Sequence, residues 1–203
     1  MVNHHRDEPG EGASTVSSRP ERWISPEDYL LAERQAETKS EYLDGQVFAM
    51  AGASRKHNLI VVNVLVALGG QLRGGPCEVY PSDMRVRVTA TGLYTYPDVT
   101  VVCGTPELED VHGDTLLNPT LLVEVLSDST ERTDRGRKAV HYRRLATLQE
   151  YLLVSQSEAR IERYRRAGEG EWRLTEALAL DDVLELDSIG CTLPLRDVYE
   201  RVF

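Results

Sequence analysis

Apolar and polar positions follow two rhythms along this chain, and the switches between them mark its elements. Leu121-Leu122-Val123-Glu124-Val125-Leu126 is apolar except for one carboxylate. A short run of this kind, bounded by Asn118-Pro119 and Ser127-Asp128, predicts a strand buried on both faces. An ionised Glu in such a strand is costly unless a cation or a metal compensates it. Whatever meets Glu124 therefore carries most of the functional question.

Upstream, Ser25-Pro26-Glu27-Asp28 reads as a helix start, with Ser25 as cap and Pro26 at the first helical position. That helix is expected to reach about Gln35, with Tyr29 and Leu30 inward. Asp44-Gly45 joins two short strands within Glu41–Met50 as a hairpin turn. From Ser54 to about Leu72 the apolar residues Leu59, Val62, Leu65, Val66, Leu68 and Leu72 recur at helical spacing, and His57 opens the helix. Strand-like pieces follow at Cys77–Tyr80, Met84–Val88 and Tyr96–Cys103, with Thr89–Thr95 as a turn and Pro106–Asp114 as an acidic loop.

Beyond Ser127 a helix is expected to about Leu145, with Ser129 or Thr130 as its cap. It leads into a second buried strand, Glu150–Val154, so that strand, helix and strand form a crossover. Ile161–Arg165, Trp172–Ala177 and Val183–Leu186 read as an antiparallel meander, and a short helix follows Pro194-Leu195. The pattern predicts a mixed α/β (α+β) domain over residues 21–203, with a C-terminal β-meander. Residues 1–20 are polar, without periodicity, and read as a disordered leader.

Composition narrows this only slightly. A chain of 203 residues with 41% hydrophobic and 28% charged residues has room for one core. The net charge of −10 argues against general coating of nucleic acid, though not against one local groove that meets a phosphodiester. Cys77, Cys103 and Cys191 lack metal-ligand spacing and read as small apolar residues in a reducing cytosol. No apolar run reaches the length of a membrane span and no secretory leader is visible, so a cytoplasmic location is expected.

The chemistry gathers around Glu124. Asp98 lies in the preceding strand, and neighbouring strands run about 4.8 Å apart, so two carboxylates at matching height can share a hard divalent cation such as Mg²⁺ or Mn²⁺. Such a pair is the acidic half of a metal-dependent nuclease site, where the ion polarises a phosphodiester and activates water. A cation is still needed to orient that water. Position 126 is Leu, and Lys138 on the following helix is the substitute. Asp134, Lys138 and either His141 or Tyr142 share one face of that helix, which could turn toward the sheet or toward solvent. Plainer alternatives are an ion pair of Glu124 with Arg85, Arg87 or Lys138, and a salt bridge for Asp83 in place of a site role. The arginines from Arg132 to Arg144 read as a solvated face or as contacts to a DNA backbone.

From about Ser25 to Tyr199 the chain resembles the Uma2 family, a group with a restriction-endonuclease-like fold in the PD-(D/E)XK nuclease superfamily. The matching pieces are Glu41-Tyr42-Leu43-Asp44-Gly45, His57, Ser82-Asp83-Met84-Arg85-Val86 and Tyr96-Pro97-Asp98-Val99. They continue with Leu122-Val123-Glu124-Val125-Leu126-Ser127, Ser129-Thr130, Asp134, Lys138, Tyr142 and Glu150-Tyr151-Leu152-Leu153-Val154. The resemblance implies a central mixed sheet flanked by helices, with metal held by Asp98, Glu124 and the backbone carbonyl of Val125. It adds Glu41 as an outer carboxylate, moves the usual lysine onto the helix at Lys138, and implies a homodimer. His57 and Asp83 are accessory candidates. The activity expected is Mg²⁺- or Mn²⁺-dependent endonuclease action on DNA. The rival is a nuclease-fold protein that no longer cuts and serves as a binding or dimerisation module.

Overall fold

The computed structural model describes residues 23–127 and 131–203. The expected leader over residues 1–20 and the candidate caps Ser129 and Thr130 lie outside the described residues. The first helix, α1 (Pro26–Glu33), starts where the Ser25 hydroxyl accepts the Asp28 N–H at 3.0 Å, and it buries Tyr29 and Leu30. It ends two residues short of the expected Gln35. Strands β1 (Ser40–Leu43) and β2 (Gln46–Ala49) form the hairpin, with Asp44 and Gly45 both at positive φ, as a tight turn of this handedness requires. Helix α2 (Arg55–Leu72) spans the expected range and is capped by Ser54, but it buries Ile60, Val64, Leu68 and Leu72, while Val62 and Val66 of the expected apolar set are exposed.

The next strands are β3 (Cys77–Pro81), β4 (Arg85–Val88), β5 (Leu93–Thr95), β6 (Val99–Cys103) and β7 (Thr115–Leu116). Leu93–Thr95, expected as part of a turn, is a strand that pairs back on β4, because the reversal closes within Thr89–Gly92. Tyr96-Pro97-Asp98, expected as strand, is a break. Pro97 cannot donate to a ladder, and at this point the chain leaves one sheet for the other.

Strand β8 (Leu121–Leu126) is buried along its whole length and runs parallel to β9 (Glu150–Ser155). Between them α3 (Glu131–Thr133) passes through a π-helical turn (Asp134–Lys138) into α4 (Ala139–Tyr142). The expected meander divides. Strands β10 (Ile161–Gly168) and β11 (Glu171–Ala177) extend the sheet of β9, whereas β12 (Val183–Leu186) pairs with β13 (Cys191–Pro194) apart from it. The Asp182 carboxylate accepts the N–H groups of Leu178 and Ala179 and turns the chain out of the large sheet. Helix α5 (Leu195–Val198) closes the described chain.

Three sheets result, in the orders β2-β1-β5-β4-β7, β11-β10-β9-β8-β6-β3 and β12-β13. The large sheet is covered on both sides, which explains the uninterrupted apolar strand. Leu121, Val123 and Val125 pack with α2, the β12-β13 pair and α5. Leu122 and Leu126 pack with Val86, Val88 and Leu93 of the smaller sheet and with Ala139 and Tyr142 of α4. Each such side chain removed from water contributes about 1.5–3 kcal/mol. Glu124 shares the second face, and so is delivered to the seam between the sheets and the helix.

The cysteines depart from the sequence reading. Cys77 and Cys103 stand directly opposite each other on β3 and β6 and are joined as a disulfide, while Cys191 is a buried free thiol. Their separation of 26 residues gave no signal, because the pairing depends on strand register. No helix among the described residues is long and apolar enough to cross a membrane.

Candidate active site

Asp98 is the residue ahead of β6, and β6 pairs antiparallel with β8 through Val99 and Val123. One further step of that register sets Asp98 beside Glu124. The Asp98 carboxylate replaces the ladder at this point. Its Oδ2 accepts the Val125 N–H at 2.7 Å and lies 3.2 Å from His57 Nε2. Within a strand a residue's N–H and C=O point to the same side, so the Val125 carbonyl also faces the Asp98 side of β8. His57 reaches the site because Ser54 fixes the first turn of α2, its Oγ accepting the His57 N–H at 3.1 Å.

The helix face left open by the sequence is turned inward. Asp134, Lys138 and Tyr142 are all buried, and the π-helical turn carries the first two. Lys138 Nζ lies 2.8 Å from Glu41 Oε1, 3.2 Å from Glu124 Oε1 and 3.3 Å from Asp134 Oδ1. The Tyr142 hydroxyl donates to Glu124 Oε1 at 2.7 Å, and Thr95 Oγ1 donates to Glu41 Oε1 at 2.6 Å. Tyr142 and Thr95 are themselves 3.4 Å apart. Glu41 and Thr95 come from the smaller sheet, Glu124 from the larger one, and Lys138 and Tyr142 from the helical segment between them. Three layers of the fold meet at one ammonium group.

Charge is unbalanced there. Glu41, Asp98, Glu124 and Asp134 gather around Lys138 and His57. Burial pushes the Glu124 carboxyl well above its usual range; Lys138 opposes this, and the neighbouring Asp134 and Asp98 add to it. For Lys138 burial works to lower the value, but the fields of Glu124, Glu41 and Asp134 together hold the ammonium well above its ordinary pKa. Burial likewise keeps the Tyr142 hydroxyl protonated as a donor. The cluster thus contains a fixed cation and more carboxylates than that cation neutralises.

Hard-oxygen donors in surplus suit a divalent cation of the Mg²⁺ type, which is commonly bound through one or two carboxylates and keeps several waters. Asp98, Glu124 and the Val125 carbonyl offer that set. No ready-made cage of three or more His, Cys, Asp or Glu side chains is present among the described residues.

Of the sequence candidates, Glu41, Glu124 and Lys138 are brought into direct contact, and Asp98 joins them through the β6–β8 register with His57 beside it. Asp83 is not brought in; it is 86% exposed on the β3–β4 connection and pairs with Lys39. Arg85 and Arg87 are engaged by Asp114 and Glu109, which removes them as partners for Glu124. Thr95 escaped the sequence reading because its segment was read as a turn. Asp134 and Tyr142 were legible as neighbours of Lys138 at helical spacing, although their roles were not.

The chain is similar to several known proteins. "Uncharacterized protein slr1290" of Synechocystis is 40% identical over 90% of this chain and 94% of that protein. "Uncharacterized protein sll1609" of the same organism is 36% identical over 80% of this chain and 92% of that protein. The crystal structure of a "putative nuclease" of the DUF820 group from Anabaena variabilis superposes with a TM-score of 0.73 at 18% identity. It covers 89% of this chain and 99% of its own, and so shares the fold. The model of the Uma2 family, described as "Putative restriction endonuclease", matches residues 26–196, and the chain belongs to that family.

Proposed function

We propose that this protein is a divalent-metal-dependent endonuclease that hydrolyses phosphodiester bonds in DNA. The observation that carries the reading is the Lys138 ammonium held by Glu41, Glu124 and Asp134 one strand from Asp98. Asp98, Glu124 and the Val125 carbonyl would hold Mg²⁺ or Mn²⁺. When bound, the ion supplies Lewis-acid polarisation of the phosphate and a water of lowered pKa.

The chain's own groups divide the remaining work. Lys138 stays protonated, so it orients the attacking water and meets developing negative charge, and does not serve as a base. Tyr142 fixes Glu124 by donating to Oε1, and Thr95 fixes Glu41 in the same way. Glu41 holds Lys138 from the smaller sheet and is the outer carboxylate available to a second ion or to water. His57 steadies the Asp98 carboxylate. We further propose a homodimer working in the cytoplasm, a compartment in which the Cys77–Cys103 pair would stand reduced.

Incubation of supercoiled plasmid with Mn²⁺, with Asp98→Ala protein run beside the native chain, tests the reading. Cleavage by the native protein and none by the variant is expected; no cleavage by the native chain, or equal cleavage by both, overturns it. A second reading, a nuclease-fold module that binds without cutting, draws on the net charge of −10, which is unusual for a protein that embraces DNA. Plasmid left intact at every Mn²⁺ and Mg²⁺ concentration would favour it.

A further inference from the structure

The opposite face of the large sheet carries a second concentration of charge, of the other sign. Glu124 is in register with Leu153, and Leu153 with Glu162, which places these residues on one face. Arg163 pairs with Leu152 and Arg165 with Glu150, so both arginines emerge on the other face. On β11, Thr175 stands opposite Arg163, and Arg173 stands directly opposite Arg165. Like charges facing each other across a strand pair are destabilising, and of these two only Arg165 has an acidic partner among the described residues, Asp187.

Two of the three arginines are already held in place. Arg163 Nε donates to Thr175 Oγ1 at 3.2 Å and its Nη1 donates to the Glu185 carbonyl. The same guanidinium lies 3.5 Å from the fully buried Glu150, whose other oxygen accepts the Ser188 N–H at 3.2 Å. Arg165 is 2.5 Å from Asp187. Arg173 is exposed and makes no ion pair among the described residues. Arg163, Arg165, Arg166, Ala167, Arg173 and Thr175 line a half-open cleft of about 330 Å³. Its walls contain no aromatic side chain on which a base could stack. They offer guanidinium forks, the groups whose planar donors match phosphate oxygens.

We propose that the cleft formed by Arg163, Arg165 and Arg173 on the back of β10 and β11 binds a phosphate-bearing polyanion. The ligand is recognised by its phosphates and not by a base or sugar. It is a free polyphosphate compound or a stretch of phosphodiester backbone, and the two share this chemistry. The site works independently of the acidic cluster, since the sheet lies between them.

Calorimetric titration of the full chain with inorganic triphosphate, at low ionic strength and in EDTA, tests the proposal. One-to-one binding is expected, at least about tenfold weaker in Arg173→Glu, the loss of a charged hydrogen-bonding group. Arg173 is exposed, so circular dichroism of that variant is expected to match the native chain, and Arg165→Gln serves as a second variant. Asp98→Ala protein should bind triphosphate as the native chain does, which keeps this result separate from the fate of the nuclease reading. A short DNA duplex that displaces triphosphate supports the cleft as a backbone contact; failure to displace it supports a site for free phosphate compounds. Absence of saturable triphosphate binding, or native affinity in both arginine variants, overturns the proposal.

Discussion

Lys138 ties the acidic cluster together, pairing with Glu41, Glu124 and Asp134, and in the proposed mechanism it also carries the chemistry. Removing it leaves Glu41, Glu124 and Asp134 buried around an empty place, and breaking a buried ion pair from one side costs about 3–5 kcal/mol. Lys138→Met is therefore expected to lower the urea midpoint sharply. Tyr142→Phe takes only one donor from Glu124 and leaves Lys138 in place, so its cost is about 1.5–3 kcal/mol in the same urea titration. A larger loss in Tyr142→Phe than in Lys138→Met would reverse this ranking. At this scale much of the candidate cluster was legible. A lone Glu in an apolar strand announces a partner, and a Lys at helical spacing from an Asp and a Tyr suggests which. The orientation of that helix face was not legible, because either face of a short basic helix satisfies its own spacing. Asp83 shows the opposite failure: an acid beside a matching motif that simply pairs with Lys39 at the surface.

Among elements, the buried strands, the Asp44-Gly45 hairpin and the extent of α2 follow from periodicity and turn chemistry, although α2 turns Ile60 and Val64 inward where Val62 and Val66 were expected. The misread stretch was Thr89–Asp98, where a three-residue strand, a proline break and a change of sheet fit into ten positions. No window that short carries a period. The acidic loop before β7 has a clearer role than its composition suggested. Arg34, at the end of α1, donates to Asp114 at 2.8 Å and 3.0 Å and to Asp110 at 2.7 Å. The hydrogen bonds from Arg34 outweigh burial and, with Arg85 nearby, hold the Asp114 carboxyl down at about 2, against an ordinary 3.8. A carboxyl depressed on folding adds stability that is present above its unfolded pKa and is lost as pH falls toward the folded one. Urea midpoints measured from about pH 5 to pH 2 are expected to fall less steeply in Asp114→Asn than in the native chain. Parallel acid limbs in the two proteins would remove this strap from the account.

For the whole molecule, the site exists because two sheets and a helix converge, and no segment alone contains it. That is also why the sequence could name Asp98, Glu124 and Lys138 without showing how they meet. Long-range register is invisible in a linear pattern, as the Cys77–Cys103 pair illustrates. That bond closes a loop between residues 26 apart, for which chain-entropy arguments give about 3.5 kcal/mol. Unfolding with and without reductant should differ by roughly that amount; identical midpoints would show that the bond contributes nothing to stability. Whether the acid-rich seam holds a divalent cation is read from calorimetric titration of Mn²⁺ into the native chain and into Glu124→Ala. Saturable binding to the native protein and none to the folded variant is expected. Native-like Mn²⁺ binding in Glu124→Ala, or no binding to the native chain, would contradict that expectation.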